Sequence, residues 1–300
     1  ALLAGGEAGD ECSVGQHRRD PGVALCPRRL RQRLADAGGI YSTIVDAADE
    51  AVRDGDDYVL NGRKLFITNG PVADILLVYA KTDLEKKQHG ISAFIVEKNF
   101  EGFSVAQKLD KMGWRGSPTG ELVFDNCRVP AGNLLGAENK GNIVMMSGLD
   151  VERIIAAFFG LGQAHRALDL ALEYAVQRKQ FGAPIGTFQI IQGMLADMYT
   201  ELEGMRALTY QLGREIKNVK NGEAGRGNIH KRSAAALLAV GKGTMKILDQ
   251  AVQIHGGMGF MRETEVNRLY RSGKVLEIAA GSNQVRQIII AEEMLSDAGL

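Results

Sequence analysis

The sequence predicts an α+β protein of more than one domain, a β-barrel or sandwich followed by a C-terminal antiparallel four-helix bundle, and three observations carry that prediction. From about 57 to 130 short apolar runs alternate with Gly, Asp and Asn breaks, the pattern of closely spaced strands. After Pro130 and "GNLLGAENKG" the period changes. Between 187 and 216 the apolar residues are Ile190, Ile191, Met194, Leu195, Met198, Leu202, Met205, Leu208, Leu212 and Ile216, the three-and-four spacing of one helix face.

Taken in order, residues 1–40 form an atypical segment. No aromatic precedes Tyr41, and "HRRD" and "PRRLRQRL" concentrate Arg between Gly- and Pro-marked breaks; poor order is expected there. Glu7, Asp10, Glu11 and Asp20 argue against a transit peptide. Residues 41–133 are expected to be the β domain. "DYVLNGRKLFITNG" contains two strand-like runs meeting at Asn61-Gly62, a strong hairpin signal. "DILLVYAKT", "GISAFIVEK", "FSVAQKL" and "GELVFDNCRV" follow, and half a dozen strands at this spacing make a sandwich or barrel. Residues 134–300 are expected to be helical: about 142–177, with Gly160 and Gly162 as places where it can break, then 187–216, 227–254 and 283–296. Short Gly-bearing links between such helices imply an antiparallel bundle.

Composition narrows the function. Of 300 residues 45% are apolar, enough for two cores. Lys+Arg and Asp+Glu balance at 36 each, so no net field draws in nucleic acid or an anionic membrane. Cys12, Cys26 and Cys127 show neither zinc-ligand spacing nor an even count, so neither a metal site nor a disulfide framework is expected, and the compartment reads as reducing. No apolar run reaches the roughly 18 residues of a membrane span, and "ALLAGGEAGDEC" lacks a basic start; neither a span nor secretion is expected.

Individual residues leave the chemistry open. Glu152, in "LDVER" near the start of a long helix, suits a solvated ion pair with Arg153. Ile154, Ile155, Phe158 and Phe159 beside it imply instead a buried helix, where an acid excluded from water becomes a candidate base. "QIHGGMGF" and "AAGSNQVR" are Gly-bearing turns whose amides suit a phosphate, although Gly also ends helices for conformational reasons. His255 reads as a satisfied histidine. "RKQFG", before Pro184, suits a helix C-terminus.

The ordered set "GRKLFITNG", "GISAFIVEK", "KMGWRGSPTGELVFDNCRVP", "GLDVER", "QRKQFGAPIGTFQIIQGMLADM", "QIHGGMGF" and "LEIAAGSNQVRQ" resembles the acyl-CoA dehydrogenase family from about 57 to 296. The resemblance implies a middle β-barrel and a C-terminal bundle holding FAD, usually in a homotetramer, with electron-transfer flavoprotein as acceptor. Most members carry the catalytic glutamate just before the Gly of the downstream turn, where this chain has Ala280 before Gly281. The isovaleryl-CoA subgroup, which serves leucine catabolism, carries it in a "DLER"-like motif, matched here by Asp150-Val151-Glu152-Arg153.

The resemblance therefore implies that Glu152 removes the α-proton of a short branched acyl-CoA while a hydride passes from the β-carbon to flavin N5, giving a trans-2-enoyl-CoA. The Ala280 N–H would bind the thioester oxygen. Phe66, Ile67 and Thr68 would lie by the flavin ring. Arg178, Phe181, Gln189, Gln253, Gly256 and Gly257 would reach the adenosine diphosphate part of a neighbouring subunit's FAD, and Ser282, Asn283 and Gln284 the pyrophosphate. Asp150, Arg153, Ala279 and Gly281 would contact the acyl-CoA, and small Ala279 and Ala156 leave room for its branch. Family members begin with a helical domain and a Gly-rich "EPGAGSD"-like loop; "AGGEAGDE" and "LADAGG" are poor substitutes, and weak FAD binding is expected. Two alternatives are a non-catalytic remnant and an acyl-CoA oxidase. The implied location is the cytoplasm of a bacterium or the mitochondrial matrix of a eukaryote.

Overall fold

The computed structural model describes residues 42–48, 50–216 and 226–300; the expectations for residues 1–40, Cys12 and Cys26 included, lie outside them. Eight strands open the described chain: β1 (Ser42–Ala48), β2 (Glu50–Asp54), β3 (Asp57–Thr68), β4 (Ile75–Lys81), β5 (Ile91–Glu97), β6 (Phe103–Lys108), β7 (Thr119–Pro130) and β8 (Leu134–Leu135). They form two sheets, β1-β4-β5-β8, with β1 parallel to β4, and β2-β3-β7-β6, antiparallel throughout. Leu60, Leu122, Phe124 and Val129 of one sheet share a core with Leu76, Val78, Phe94 and Val96 of the other. The Tyr58 ring meets Phe94 edge-on at 5.0 Å, and its hydroxyl donates to Glu138 Oε2 at 3.0 Å, so its polar tip is satisfied. Burial pushes the Cys127 thiol up to about 11, which keeps it protonated and unreactive at neutral pH.

Asn61-Gly62 is not a hairpin turn. Strand β3 runs through it, with Leu60 paired to Cys127 and Gly62 to Phe124 across a register shift. The Asn61 side chain accepts from the Asn126 N–H at 2.7 Å, closing the gap in the ladder. The hairpin turn lies earlier, at Gly55-Asp56 between the paired Asp54 and Asp57, where Gly55 supplies the positive φ (63°) of a tight turn. Both runs of the expected hairpin find one continuous partner in β7, so the bulge keeps pairing that a turn would lose.

Among the described residues five helices longer than a single turn follow: α1 (Gly141–Gln177), α2 (Gln189–Glu215), α3 (Gly227–His255), α4 (Glu265–Gly273) and α5 (Asn283–Asp297). Gly160 and Gly162 do not interrupt α1, which runs unbroken for 37 residues. Gly160 is where α1 touches α3: an added Cβ would lie 2.3 Å from Val240 Cγ1, and Thr244 donates to the Gly160 carbonyl at 3.2 Å. Consecutive long helices are antiparallel: Phe158 meets Tyr210, Arg232 pairs with Glu215, and the Gly227 N–H donates to Glu293. The helices α1 and α3 run in the same direction, with Asp150 beside His230 at one end and Tyr174 beside His255 at the other. Helix α4 was not expected, since its few apolar positions, Val266, Leu269 and Tyr270, set no clear period.

Helix α1 belongs to both halves of the chain. Its first turns pack on the sheet, with Val144 against Tyr79, Ala93 and Leu135, and from Ala157 onward it lines the bundle core. A second junction lies at α4, where Arg271 Nη1 donates to the Met112 carbonyl at 2.7 Å and Trp114 Nε1 donates to that of Ser272 at 3.0 Å. Among the described residues no helix is long and apolar enough to cross a membrane.

These contacts separate two neighbouring glycines. Gly160→Ala is expected to destabilise the chain by about 1–3 kcal/mol through overpacking against Val240. Gly162, with nothing within 4 Å of an added Cβ, gains about 0.5–1 kcal/mol as alanine through helix propensity. Urea denaturation of the two variants reads both signs.

Candidate functional site

Each of the two motifs, the one on α1 and the turn before α5, is anchored by its own buried polar cluster. Asp150 and Arg153 are each 4% exposed. One oxygen of Asp150 accepts from Arg153 Nη1 at 3.2 Å, from His230 Nδ1 at 2.8 Å and from the Ser233 hydroxyl at 2.9 Å. The Nδ1 of His230 must carry its proton to donate to that carboxylate. The guanidinium of Arg153 is lowered in pKa by burial and held up in part by Asp150 and Glu152. The side chains of Asp150 and Arg153, expected beside the acyl-CoA, turn into the bundle and bond to each other and to α3.

Their inward aim fixes where Glu152 points. Residues 150, 153, 154 and 157 face the bundle, and 151, 152, 155 and 159 face away, as a period of 3.6 requires. Glu152 is exposed rather than buried, and Ile155 and Phe159 are 51% and 56% exposed. The expectation of a buried helix holds for Ile154, which is buried, and fails for Ile155 and Phe159, which the fold leaves about half open. Glu152, Ala156 and Phe159, spaced one and two turns apart, form a stripe on α1, and Trp114 of the barrel packs edge-on against Phe159 at 6.0 Å. The dry surroundings that strengthen a carboxylate as a base must come from what binds against this stripe.

The turn before α5 presents backbone rather than side chains. Ala280 and Gly281 both have positive φ, 54° and 87°, and among the described residues their N–H groups have no acceptor. Ser282 caps α5, accepting from the Val285 N–H at 3.3 Å. Asn283 is buried; its amide donates to Glu277 Oε1 at 3.1 Å and its oxygen accepts from Arg286 at 2.8 Å. The Ser282 and Asn283 side chains are thus committed within the fold, and what this turn offers an anion is the free N–H groups of Ala280, Gly281 and the first residues of α5. Ala279 and Gln284 are exposed.

The residues expected near a flavin divide into two groups. Phe66 sits at a second register shift in β3, with φ 65° and 72% exposure; the bulge throws the ring out of the sheet. Thr68 is exposed beside it, while the Ile67 side chain is buried in the sandwich and can offer only its backbone. An open aromatic face and unbonded amides on a helix start fit a flavin ring and a pyrophosphate. The second group lies at the far end of α1. Phe181, 93% exposed, tops a hairpin formed by β9 (Lys179–Gln180) and β10 (Ala183–Pro184), with Arg178 and Gln189 exposed beside it. His255 stacks on Tyr174 at 4.4 Å and donates from Nδ1 to the Ala251 carbonyl at 2.7 Å, which makes it a satisfied histidine and brings exposed Gln253, Gly256 and Gly257 to the same end.

Three residues of these clusters were missed in the sequence. His230 and Ser233 occupy positions of the apolar stripe Ala234, Leu237, Val240, Ile247, Leu248 on α3, and Arg286 is wholly buried on α5. A polar residue in register with an apolar stripe is the signal that finds such positions.

The family model for the acyl-CoA dehydrogenase middle domain matches residues 35–127, and that for the C-terminal domain matches 139–295. The chain is 46% identical over 256 residues to the mitochondrial isovaleryl-CoA dehydrogenase of Oryza sativa, covering 85% of this chain and 61% of that protein. It is 41% identical to the caffeyl-CoA reductase–Etf complex subunit CarC of Acetobacterium woodii, over 87% of this chain and 65% of that one. The chain thus spans about three fifths of the length of these relatives. The crystal structure of a probable acyl-CoA dehydrogenase from Mycobacterium abscessus superposes with a TM-score of 0.83 at 34% identity, covering 90% of this chain and 74% of that one. With both family models matched in order and the fold shared, this chain belongs to the acyl-CoA dehydrogenase family.

Proposed function

We propose that this protein is an FAD-dependent acyl-CoA dehydrogenase that converts a short branched acyl-CoA, of the isovaleryl-CoA kind, to its trans-2-enoyl-CoA. The observation that carries the reading is the division of the site: a carboxylate, Glu152, on an open apolar stripe, and unbonded amides at a turn that has Ala280 in place of an acid. Limits at 41–133 and 134–300 are proposed for the two domains.

In this reading the Glu152 carboxylate takes the proton from the carbon next to the thioester carbonyl. The acyl chain, lying along Ala156 and Phe159, excludes water from that carboxylate and raises its basicity. The Ala280 N–H donates to the thioester oxygen as negative charge builds there, and a backbone donor is indifferent to the loss of an acidic side chain at this position. When bound, FAD supplies the acceptor for the hydride leaving the β-carbon. Phe66 and Thr68 would hold its ring, and the amides ahead of α5 its pyrophosphate. Small Ala279 and Ala156 favour a branch near the reacting carbons.

The far group argues for an oligomer. Twenty-six residues of helix separate Glu152 from Arg178, about 39 Å at 1.5 Å per residue. Arg178, Phe181, Gln189 and Gln253 to Gly257 are accordingly assigned to the FAD of a neighbouring copy, in a homotetramer, with electron-transfer flavoprotein as the electron acceptor. The reading places the protein in a bacterial cytoplasm or a mitochondrial matrix.

The test is anaerobic. The full chain, purified with FAD, is expected to bleach on addition of isovaleryl-CoA, and Glu152→Gln to keep its flavin while reducing it about 10²–10⁴-fold more slowly. A variant that bleaches at the parental rate removes Glu152 as the base, and a chain that never takes up FAD favours a non-catalytic protein. In the same assay butyryl-CoA and octanoyl-CoA are expected to react more slowly than isovaleryl-CoA; the reverse order overturns the branched substrate.

A further inference from the structure

We propose that Arg286 is a positioning residue for this site, which aims and strengthens the Ala280 N–H by holding the carbonyl on the other side of the same peptide bond; the inference rests on the dehydrogenase reading. Arg286 is wholly buried on the first turns of α5. Its Nη2 donates to the Ala279 carbonyl, and its Nη1 donates to the Leu276 carbonyl and to Asn283 Oδ1, both at 2.8 Å.

The geometry of the peptide unit gives the argument. The Ala279 oxygen and the Ala280 N–H belong to one planar trans peptide, in which they point in opposite directions. A guanidinium fixed on that oxygen from inside the bundle therefore directs the N–H the opposite way, out of the core. The conformation needs such a hold. An alanine in the left-handed region costs about 1–2 kcal/mol, and here Ala280 is followed by a second residue of positive φ. The planar fork of an arginine spans the carbonyls of residues 276 and 279 at once, which a lysine cannot do.

Charge adds to aim. Burial, with the like charge of Arg153, pushes the Arg286 guanidinium down to about 10, so it remains cationic at neutral pH. A cation bonded to the oxygen of a peptide polarises that peptide and makes its N–H a better donor. Asn283 completes the arrangement, accepting from Arg286 and donating to Glu277. The Nε groups of Arg286 and Arg153 find no acceptor among the described residues, a cost the fold tolerates to keep two guanidinium groups here.

Carbonyl-labelled enoyl-CoA, bound to the full chain with or without FAD, gives an infrared readout independent of turnover. The wild type is expected to shift the thioester stretch to lower frequency; Arg286→Met loses most of that shift, and Arg286→Lys recovers part of it. With FAD, the limiting rate of flavin reduction should fall about tenfold in Arg286→Lys, less than the 10²–10³-fold of deleting an oxyanion donor outright, while the half-saturating acyl-CoA concentration changes little. If the Met variant does not fold, the Lys variant decides alone. Wild-type frequency and rate in Arg286→Lys would overturn the role of Arg286 while leaving the dehydrogenase standing. A wild-type chain that neither shifts the stretch nor reduces flavin would remove the dehydrogenase reading itself.

Discussion

The carboxylate of Asp150 is the constraint on which the rest of the site depends. A buried charge is tolerated only when paired and hydrogen-bonded, and Asp150 meets that condition with one donor from its own helix and two from α3. Those bonds set the rotation of α1 about its axis. With residues 150 and 153 turned inward, Glu152 has to face outward, in line with Ala156 and Phe159. Exposure of the proposed base is thus the direct consequence of burying its neighbours, and a helix turned by two residues, about 200°, would bring Glu152 to the inward position that Asp150 now holds.

This explains which parts were legible in the sequence. The change from strand to helix spacing after Pro130 located the two halves, and the long helices began and ended within a residue or two of the positions their periodicity gave, because packing and propensity agree along them. Asn61-Gly62 misled because its local preference for a turn was overridden by β7, a partner strand distant in sequence. The glycines of α1 misled for the complementary reason: Gly160 is present to let α3 approach, which no local rule reveals. Around Glu152 the apolar residues were read as core, although Ile155 and Phe159 lie on the open side of the helix; composition around a helix identifies an apolar face but not its cover. His230, Ser233 and Arg286 escaped because each makes sense only through a partner on another element.

The two motifs that lie more than a hundred residues apart are brought close enough in the bundle for their buried charges to sense each other. Arg153 acts on Arg286 as a like charge, and both are held in the bundle by acceptors on neighbouring elements, Asp150 for one and the carbonyls of Leu276 and Ala279 for the other. Helix α1 is anchored at its start on the sheet through Val144 and beyond Ala157 in the bundle. Trp114 and Arg271 tie the barrel to α4 just before the turn. The proposed base and the proposed amide donor therefore stand on elements fixed at both ends, which suits chemistry that depends on positioning two groups about one thioester.

The proposed division of labour, with a base on α1 and only Ala280 at this turn, has a physical logic once the turn is viewed as backbone. A side-chain base at that position would need a rotamer, a desolvated setting and the left-handed conformation together. An amide needs only the conformation, and Arg286, from the interior, holds the carbonyl that determines it. With the base proposed on α1, the turn is left a single task, presenting N–H groups, and that task tolerates the smallest side chain compatible with a chiral residue. The small residues at 279 and 280 then enlarge the space in front of the amides, so the feature that removes one possible base also shapes the pocket proposed for a branched acyl chain.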